Sequence, residues 1–185
     1  MQIQRLDVGD TFVITPARFG DHRGYFSETF RKSFLSEAGV DLDFVQDNHV
    51  HSSERGVLRG LHYQIPPCAQ GKLVRCVRGS ILDVAVDIRN GSPTFSRHVA
   101  IELSAENSKQ LWVPPGFAHG YVTLERDCEV IYKVTEYYSK DCERGLAWDD
   151  PDLNIQWQIS SENLVLSEKD RFNPRLVDVV SPFNY

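Results

Sequence analysis

Glycine and proline interrupt this chain at short intervals, and the stretches between them are rich in valine, isoleucine and aromatic residues. Within these stretches apolar and polar residues alternate. The alternation is clearest from Ile81 to Ile88, where every even-numbered residue is apolar and two odd-numbered residues are Asp83 and Asp87. Successive side chains of a β-strand point to opposite faces, so this pattern predicts a strand. Short strands at regular spacing between turn residues predict an all-β fold.

Two further segments repeat this period of two. Apolar residues occupy every second position from Val99 to Leu103. From Cys128 to Tyr137 the apolar parity includes Tyr132, which is therefore predicted to point where the apolar residues point.

Helix is scarce in this sequence. Lys32–Ala38, closed by Gly39, is one short candidate and Ser161–Leu166 is a weaker one. Residues 1–185 contain no linker or repeat, so we expect one domain, either a sandwich or a small barrel with a few short helices. The mouth of such a barrel offers a concave site among inward-facing side chains.

Composition excludes several classes of function. The chain has 185 residues, a formal net charge of -6 and no tract rich in lysine or arginine, so nucleic acid is not an expected partner. No apolar run approaches the roughly 18 residues that span a bilayer, and the first residues mix charged with apolar side chains, unlike a signal peptide. We therefore expect no membrane partner and a cytoplasmic location.

The four cysteines are widely spaced and form no Cys-x-x-Cys pair. They are too few to staple a chain of this length, so we interpret them as reduced cytosolic thiols.

Two titratable residues are predicted to face one interior. Gly60, His62 and Gln64 share a parity, and Lys72 shares the parity of the apolar residues of the next strand. The alternative remains open at this stage: His62 would be a hydrogen-bonded core histidine, and Lys72 would lie on the surface of an edge strand.

A rigid turn delivers another histidine to the start of a strand. The Pro-x-Gly-x-x-His spacing from Pro114 to His119 resembles the second motif of the cupin superfamily of small β-barrels. Lys72 and Gly79 have the spacing of the first motif, with His62 upstream. However, Gln64 and Lys72 stand where a metal-binding cupin has a histidine and an acid, and an ammonium group cannot ligate a cation. The resemblance implies the barrel and argues against a metal.

A second possible metal site is the His-x-His pair of His49 and His51, which has ligand spacing. No third ligand of matching parity lies nearby in the sequence. We prefer the interpretation that one histidine is hydrogen-bonded and the other exposed.

Phosphate groups require paired cations, for which Arg23, Arg59 and Lys72 are candidates. A single arginine is most often a surface charge. Arg23 and Arg59 each precede a glycine, which lets the backbone approach a ligand closely.

The joint pattern of motifs resembles the dTDP-4-dehydrorhamnose 3,5-epimerase family. The resemblance extends in order over nearly the whole chain, through the segments Asp21 to Glu28, Phe44 to His49, Gly56 to Gln64, Gly71 to Arg75, Pro115 to Gly120 and Leu166 to Asp170. It implies a metal-free, cofactor-free cupin-type β-barrel or jelly roll that forms a homodimer. It also implies a dTDP-linked 4-keto-6-deoxy sugar as substrate, inversion at C3 and C5, and a place in dTDP-L-rhamnose synthesis.

The resemblance also assigns roles to individual residues. It makes His62 the catalytic base, Asp170 its carboxylate partner, Tyr132 the acid and Lys72 the group that faces the keto oxygen. It assigns thymine stacking to Tyr138, with the neighbouring Tyr137 as the open alternative. The remaining substrate-binding residues that it implies are Arg23, Glu28, Gln46, Asn48, Arg59, His119, Glu143 and Lys169.

These residue types suit the implied chemistry. Protons next to a ketone become removable when a preplaced cation such as Lys72 meets the enolate oxygen. A histidine is unprotonated near neutrality at little energetic cost, and a carboxylate such as Asp170 can hold its tautomer. Inversion needs a new proton from the opposite face, for which Tyr132 is a plausible donor.

Three other functions compete with this one. A single-carbon epimerase or a 3,4-ketoisomerase acting on a related dTDP-sugar would use the same substrate class and the same proton transfers. A non-catalytic sugar-nucleotide binding module would keep the same residues only as ligand contacts. A metal-dependent cupin enzyme is disfavoured by Gln64 and Lys72.

Overall fold

A computed structural model describes residues 1–185 and contains fourteen β-strands. In chain order these are β1 (Gln2–Arg5), β2 (Phe12–Thr15), β3 (Phe19–Asp21), β4 (Gly24–Phe26), β5 (Gln46–Ser52), β6 (Val57–Gln64), β7 (Lys72–Arg78), β8 (Ser80–Asp87), β9 (His98–Ser104), β10 (Gln110–Val113), β11 (Phe117–Thr123), β12 (Cys128–Val134), β13 (Glu143–Gly145) and β14 (Val165–Leu166). The prediction of an all-β chain is confirmed.

The strands form two large sheets and one small hairpin. The first sheet has the order β1-β2-β10-β7-β12-β5, and the second has the order β13-β6-β11-β8-β9 with β14 added alongside β6. Apart from the parallel β14 pairing, neighbouring strands in the two sheets are antiparallel. Side chains from both sheets share one buried apolar cluster, so the sheets pack face to face as a jelly-roll barrel.

Helical structure is limited to one α-helix and three short 3-10 helices. The α-helix α1 covers Lys32–Glu37, close to the predicted span, and the 3-10 helices cover Ser161–Asn163, Lys169–Arg171 and Leu176–Asp178. The second helix prediction, Ser161–Leu166, is wrong beyond its first turn. The backbone N–H of Val165 donates instead to the Gly56 carbonyl, so the edge of the sheet takes up the hydrogen bond that a longer helix would need.

The predicted strand Cys128–Tyr137 ends early, at Val134. Val134 pairs with Lys72 on one side and Gln46 on the other, and these are the first residues of β7 and β5. Beyond Val134 the strand has no neighbouring strand on either side, so the ladder stops there.

Strand β8 shows how the second sheet is covered. All eight of its residues are buried, because both faces are packed. The apolar parity, with Leu82 and Val84, packs under the C-terminal segment of the chain beside Trp157 and Leu176. The opposite parity faces the barrel interior, so Asp83 is carried inside it.

The hairpin of β3 and β4 pairs only with itself. Its aromatic residues Phe19, Tyr25 and Phe26 are exposed. No helix in the structure has the length and apolar character needed to cross a bilayer.

Candidate active site

A cavity of about 490 Å³ opens between the two sheets. One wall comes from the second sheet, with Arg59 and His62 on β6 and His119 on β11, and the facing wall comes from the first sheet, with Lys72 on β7 and Tyr132 on β12. An adjoining cavity of about 260 Å³ shares three of these residues and extends toward the surface. The two cavities together are lined by every site residue predicted from the sequence except Arg23 and Glu28.

His62 is held by a buried carboxylate. Its Nε2 atom lies 2.6 Å from Oδ1 of Asp170, and the other carboxylate oxygen accepts a hydrogen bond of 2.9 Å from the Ser167 hydroxyl. Burial opposes ionisation of Asp170, but the hydrogen bonds from His62 and Ser167 outweigh it and hold the pKa of Asp170 below its usual value. With Nε2 donating to this carboxylate, Nδ1 has no partner in the chain and is the nitrogen that carries the lone pair in the neutral ring.

Lys72 is a buried ammonium group without an ion-pair partner. Only 9% of the residue is exposed, and its Nζ donates to the backbone carbonyl of His62 over 3.3 Å. Burial lowers its pKa to about 8, although the charges of Asp83 and Glu143 oppose that shift. Lys72 is therefore mainly cationic at neutral pH. Because its pKa is close to neutrality, a small change in its electrostatic surroundings alters the charged fraction. The prediction that His62 and Lys72 face the same interior is confirmed.

A second histidine–carboxylate pair lies deeper in the barrel. Nε2 of His119 is 2.8 Å from Oδ1 of Asp83, and both side chains are buried. Burial lowers the pKa of His119, and the attraction of Asp83 offsets this only in part. His119 is therefore a neutral hydrogen-bonding group near pH 7.

Tyr132 faces the cavity from the wall opposite His62. It packs against the buried cluster shared by the sheets, as its parity predicts. Burial raises its pKa, so the phenol holds its proton throughout the neutral range. A proton donor and the oriented imidazole thus occupy different sheets on two sides of one space.

Polar residues cluster at the outer rim. The Tyr138 hydroxyl donates to Glu143 over 3.1 Å, and the ammonium group of Lys169 lies 2.5 Å from the other carboxylate oxygen. Burial works against ionisation of Glu143, but these two donors outweigh it and lower its pKa. The amides of Gln46 and Asn48 are hydrogen-bonded to each other at 2.8 Å on the same side. Of the two neighbouring tyrosines, Tyr138 lines this cavity and Tyr137 does not.

The side-chain amide of Gln64 is hydrogen-bonded within the chain. Its amide nitrogen donates to the carbonyls of Cys68 and Tyr137, and its amide oxygen accepts from the backbone N–H of Ser139. These bonds tie the end of β6 to the segment that carries Tyr138.

A family model for dTDP-4-dehydrorhamnose 3,5-epimerase matches residues 5–178 of the chain. The chain belongs to the dTDP-4-dehydrorhamnose 3,5-epimerase family. A relative of that name from Sinorhizobium fredii is 50% identical over 185 residues, which is 100% of this chain and 94% of the relative.

Two solved structures support the epimerase family assignment. The dTDP-6-deoxy-D-glucose-3,5-epimerase from Legionella pneumophila, in complex with dTDP-4-keto-L-rhamnose, is 41% identical, with a TM-score of 0.94 over 100% of this chain and 98% of that one. A 3'-monoepimerase from Streptomyces bikiniensis, in complex with dTDP-quinovose, is 35% identical, with a TM-score of 0.87 over 94% of this chain and 87% of that one. The expected cupin-type barrel is thereby confirmed.

Two of the substrate-binding residues predicted from the sequence, Arg23 and Glu28, line neither cavity of this chain. Arg23 is at the turn of the β3–β4 hairpin, where it pairs with Asp21 and its side chain is 78% exposed. Glu28 follows the hairpin and pairs with Arg31. A single chain does not bring these two residues to the other site residues.

The His-x-His pair, considered above as a metal site, is also outside the epimerase cavities. His49 pairs with Glu129 and His51 pairs with Asp127, and both imidazoles are more than half exposed. They are surface residues with one carboxylate neighbour each.

Sequence reasoning missed three residues of the epimerase cavity and its surroundings. Asp83 holds His119, and Ser167 holds Asp170. Tyr121 lines the cavity with a buried hydroxyl that has no hydrogen-bond partner of normal geometry. The only signal for Asp83 was its position, with Asp87, as a carboxylate among the apolar residues of one strand. Ser167 lies in the matched segment Leu166 to Asp170, and Tyr121 lies in an apolar strand. Nothing else in the sequence indicated a role for either residue.

Proposed function

We propose that this chain inverts C3 and C5 of a dTDP-4-keto-6-deoxyhexose, as a step of dTDP-L-rhamnose synthesis. The observation that carries the proposal is the placement of His62 and Tyr132 on opposite walls of one cavity, with Lys72 lining the same cavity from the wall of Tyr132. Inversion at carbon requires removal of a proton from one face and delivery to the other. An oriented base and a protonated phenol on facing sheets suit those two tasks.

Proton removal is assigned to Nδ1 of His62. The hydrogen bond from Nε2 to Asp170 fixes the ring orientation and leaves Nδ1 able to accept a proton. Asp170 is ionised, because its pKa is lowered, so it stabilises the imidazolium as that forms. Asp170 therefore lowers the energy of the protonated His62 without accepting the proton itself.

Stabilisation of the negative charge on the enolate oxygen is assigned to Lys72. Its ammonium group is buried and donates only to the backbone carbonyl of His62, so its charge is available to the oxygen that becomes negative. His119 lines the same cavity as a neutral donor or acceptor. The proposed steps move only protons and require no redox group.

Tyr132 then delivers a proton to the opposite face of the enolate carbon. Burial raises its pKa, so it begins the reaction protonated. The same sequence of steps serves both C3 and C5, because each carbon is next to the C4 ketone.

Substrate binding is assigned to the rim and to Arg59. Arg59, Lys169, Gln46 and Asn48 supply donors for the diphosphate and nucleoside, and Tyr138 offers an exposed aromatic face for the thymine. The guanidinium of Arg59 makes only two long contacts, of 3.4 and 3.5 Å, within the chain. It therefore has donors left for a ligand.

The decisive test is incubation of the protein with dTDP-4-keto-6-deoxyglucose in D2O, followed by NMR. Deuterium at both C3 and C5, with inverted product, is expected. A single-carbon epimerase is the second candidate, because the 3'-monoepimerase from Streptomyces bikiniensis has the same fold at a TM-score of 0.87. Inversion at C3 alone would establish that second candidate, and no deuterium uptake at either carbon would overturn both.

The active form is proposed to be a homodimer. The exposed aromatic residues of the β3–β4 hairpin support this, since contiguous apolar surface marks interaction sites. The same hairpin carries Arg23, and Glu28 follows it, so a second chain would supply the two residues that lie away from the cavity. Sedimentation of the purified protein tests this, and Phe26→Asp is expected to shift the dimer toward monomer.

A cytoplasmic location is proposed as well. All four cysteines are free in the structure, which is typical of proteins kept in a reducing compartment. Localisation of a tagged full-length chain by fractionation tests it.

A further inference from the structure

Two of the four cysteines lie next to each other at the rim of the site. Strand β6 ends at Gln64, which pairs with Glu143 at the start of β13. One position beyond, the Ile65 N–H donates to the Cys142 carbonyl over 2.9 Å. The Cys68 N–H donates to the Ile65 carbonyl over 3.1 Å, which closes a β-turn from 65 to 68. The turn folds Cys68 back onto Cys142.

The backbone contacts of this turn bring the side chains of Cys68 and Cys142 together. The neighbouring Cys68 thiol lowers the pKa of Cys142, with further help from Ser139, and the Cys142 thiol raises the pKa of Cys68. Cys142 therefore loses its proton more readily than an isolated thiol does, and it is the member of the pair that forms the thiolate first. Cys68 is partly exposed and Cys142 is 9% exposed, so a molecule as small as hydrogen peroxide reaches the pair from the side of Cys68.

The other two cysteines provide an internal contrast. Cys76 and Cys128 are buried in the apolar cluster between the sheets, where their thiols donate to backbone carbonyls. Burial raises the pKa of Cys76 to about 12 and also raises the pKa of Cys128. Thiolate is the reactive form, so these two thiols are expected to be inert.

We propose that Cys68 and Cys142 form an oxidation site that hydroperoxides convert to a disulfide. The Cys142 thiolate attacks one oxygen of hydrogen peroxide, the O–O bond breaks, and hydroxide leaves and takes up a proton as water. The Cys68 thiol then attacks the Cys142 sulfenic acid, the S–O bond breaks, and a second water leaves. Two thiols and one hydrogen peroxide give one disulfide and two waters.

The position of the pair connects oxidation to ligand binding, a step that rests on the proposed function. Cys142 directly precedes Glu143, which holds Tyr138 and Lys169, and the Cys68 carbonyl is held by Gln64. A disulfide requires a sulfur–sulfur distance of about 2.05 Å, well inside thiol contact. Closing that distance draws both segments together and displaces Glu143, so affinity for dTDP is expected to fall several-fold.

The first experiment identifies the bond without reference to activity. The reduced full-length protein is titrated with hydrogen peroxide and followed by intact mass and peptide mapping. Loss of two hydrogens, with one cross-linked peptide joining Cys68 to Cys142, is expected in the unaltered protein and in Cys76→Ser. Neither Cys68→Ser nor Cys142→Ser should show the loss. Addition of oxygen without a cross-link, or a cross-link to Cys76 or Cys128, would overturn the proposal.

The second experiment measures dTDP affinity by calorimetry in the reduced, oxidised and re-reduced protein. A several-fold weakening on oxidation, reversed by dithiothreitol and absent in Cys68→Ser, is expected. Unchanged dTDP affinity in protein that contains the mapped disulfide would overturn the proposal that oxidation weakens ligand binding. A reduced protein that binds no dTDP would contradict the proposed function instead, and the mass measurement would still decide the thiol site.

Discussion

The Nε2 atom of His62 lies 2.6 Å from Oδ1 of Asp170, a carboxylate only 3% exposed. The two residues are 108 positions apart in the chain, on strand β6 and on a 3-10 helix near the C-terminus. This contact fixes which imidazole nitrogen can accept a proton, and it makes the C-terminal segment part of the cavity.

Replacing His62 with alanine is expected to lower kcat by about 10² to 10⁴, the range for a positioned acid or base, with dTDP affinity little changed. Steady-state kinetics and calorimetry check the two parts. His49→Ala is the matched control, because His49 also pairs with a carboxylate but lies outside the cavities. Near-normal turnover in the His62 variant would remove it as the base.

Tyr132→Phe is expected to separate proton exchange from inversion. The variant keeps His62, Asp170 and Lys72 and nearly all of the ring packing. His62 can still remove a proton and return one to the same face. Deuterium should therefore enter the sugar next to the ketone while little inverted product forms, whereas His62→Ala should lose both.

The control for this experiment is Tyr137→Phe, since Tyr137 is exposed and lines neither cavity. Wild-type inversion in Tyr132→Phe, or exchange abolished as fully as in His62→Ala, would contradict the assignment.

Activity is expected to fall as the pH rises through about 8, because Lys72 then loses the charge that stabilises the enolate. The pH profile of kcat/KM measures this. The stability of the fold should change in the opposite direction. Between about pH 8 and the ordinary lysine pKa of 10.5, the unfolded chain binds a proton at Lys72 that the folded chain does not, so unfolding becomes less favourable as pH rises.

Lys72→Met supplies the reference for the stability measurement. Chemical denaturation of both proteins at pH 7 and pH 10 should show the stability of the unaltered chain rising relative to the variant. A relative decrease over that interval would contradict the burial of a charged Lys72.

Arg59→Ala is expected to weaken dTDP binding roughly 10- to 100-fold, the range for loss of a charge-assisted hydrogen bond. The contact serves ground state and transition state alike, so kcat should change much less than KM. Arg126→Ala is the control, because Arg126 pairs with Glu54 on the surface. Equal dTDP affinity for both variants by calorimetry would rule out Arg59 as a ligand contact.

Tyr121→Phe is expected to leave stability unchanged or raise it by about 1 kcal/mol, because it removes a buried hydroxyl without a good partner. Because Tyr121 lines the cavity, kcat/KM is expected to fall in the same variant. Denaturation and kinetics together test this. A clear loss of stability would show that the hydroxyl serves the fold, through its neighbour Ser52.

Local patterns predicted the strands well and their ends less well. The period of two around Ile81–Ile88 identified β8 to within one residue, and the parity of Tyr132 placed it correctly on the interior side. The strand predicted to reach Tyr137 ended at Val134, where its neighbours begin. Strand ends depend on partners, and a single segment does not specify its partners.

Motif resemblance grouped the site residues before any geometry was known. It named His62, Lys72, Tyr132 and Asp170 together, and the structure brings them to one cavity. It could not show that Arg23 lies on a separate hairpin and lines neither cavity of this chain, because a motif records the residue types in a segment and not where the fold carries that segment.

The sequence by itself determined the all-β architecture, the turns and the family, because alternation, turn residues and motif spacing are properties of neighbouring positions. Only the tertiary structure decided which face of β8 lines the barrel. The apolar parity that local reasoning would assign to the interior is covered by the C-terminal segment, with Trp157 and Leu176, and the other parity carries Asp83 inward. That outcome depends on a layer contributed by a distant part of the chain, beyond the range of any local pattern.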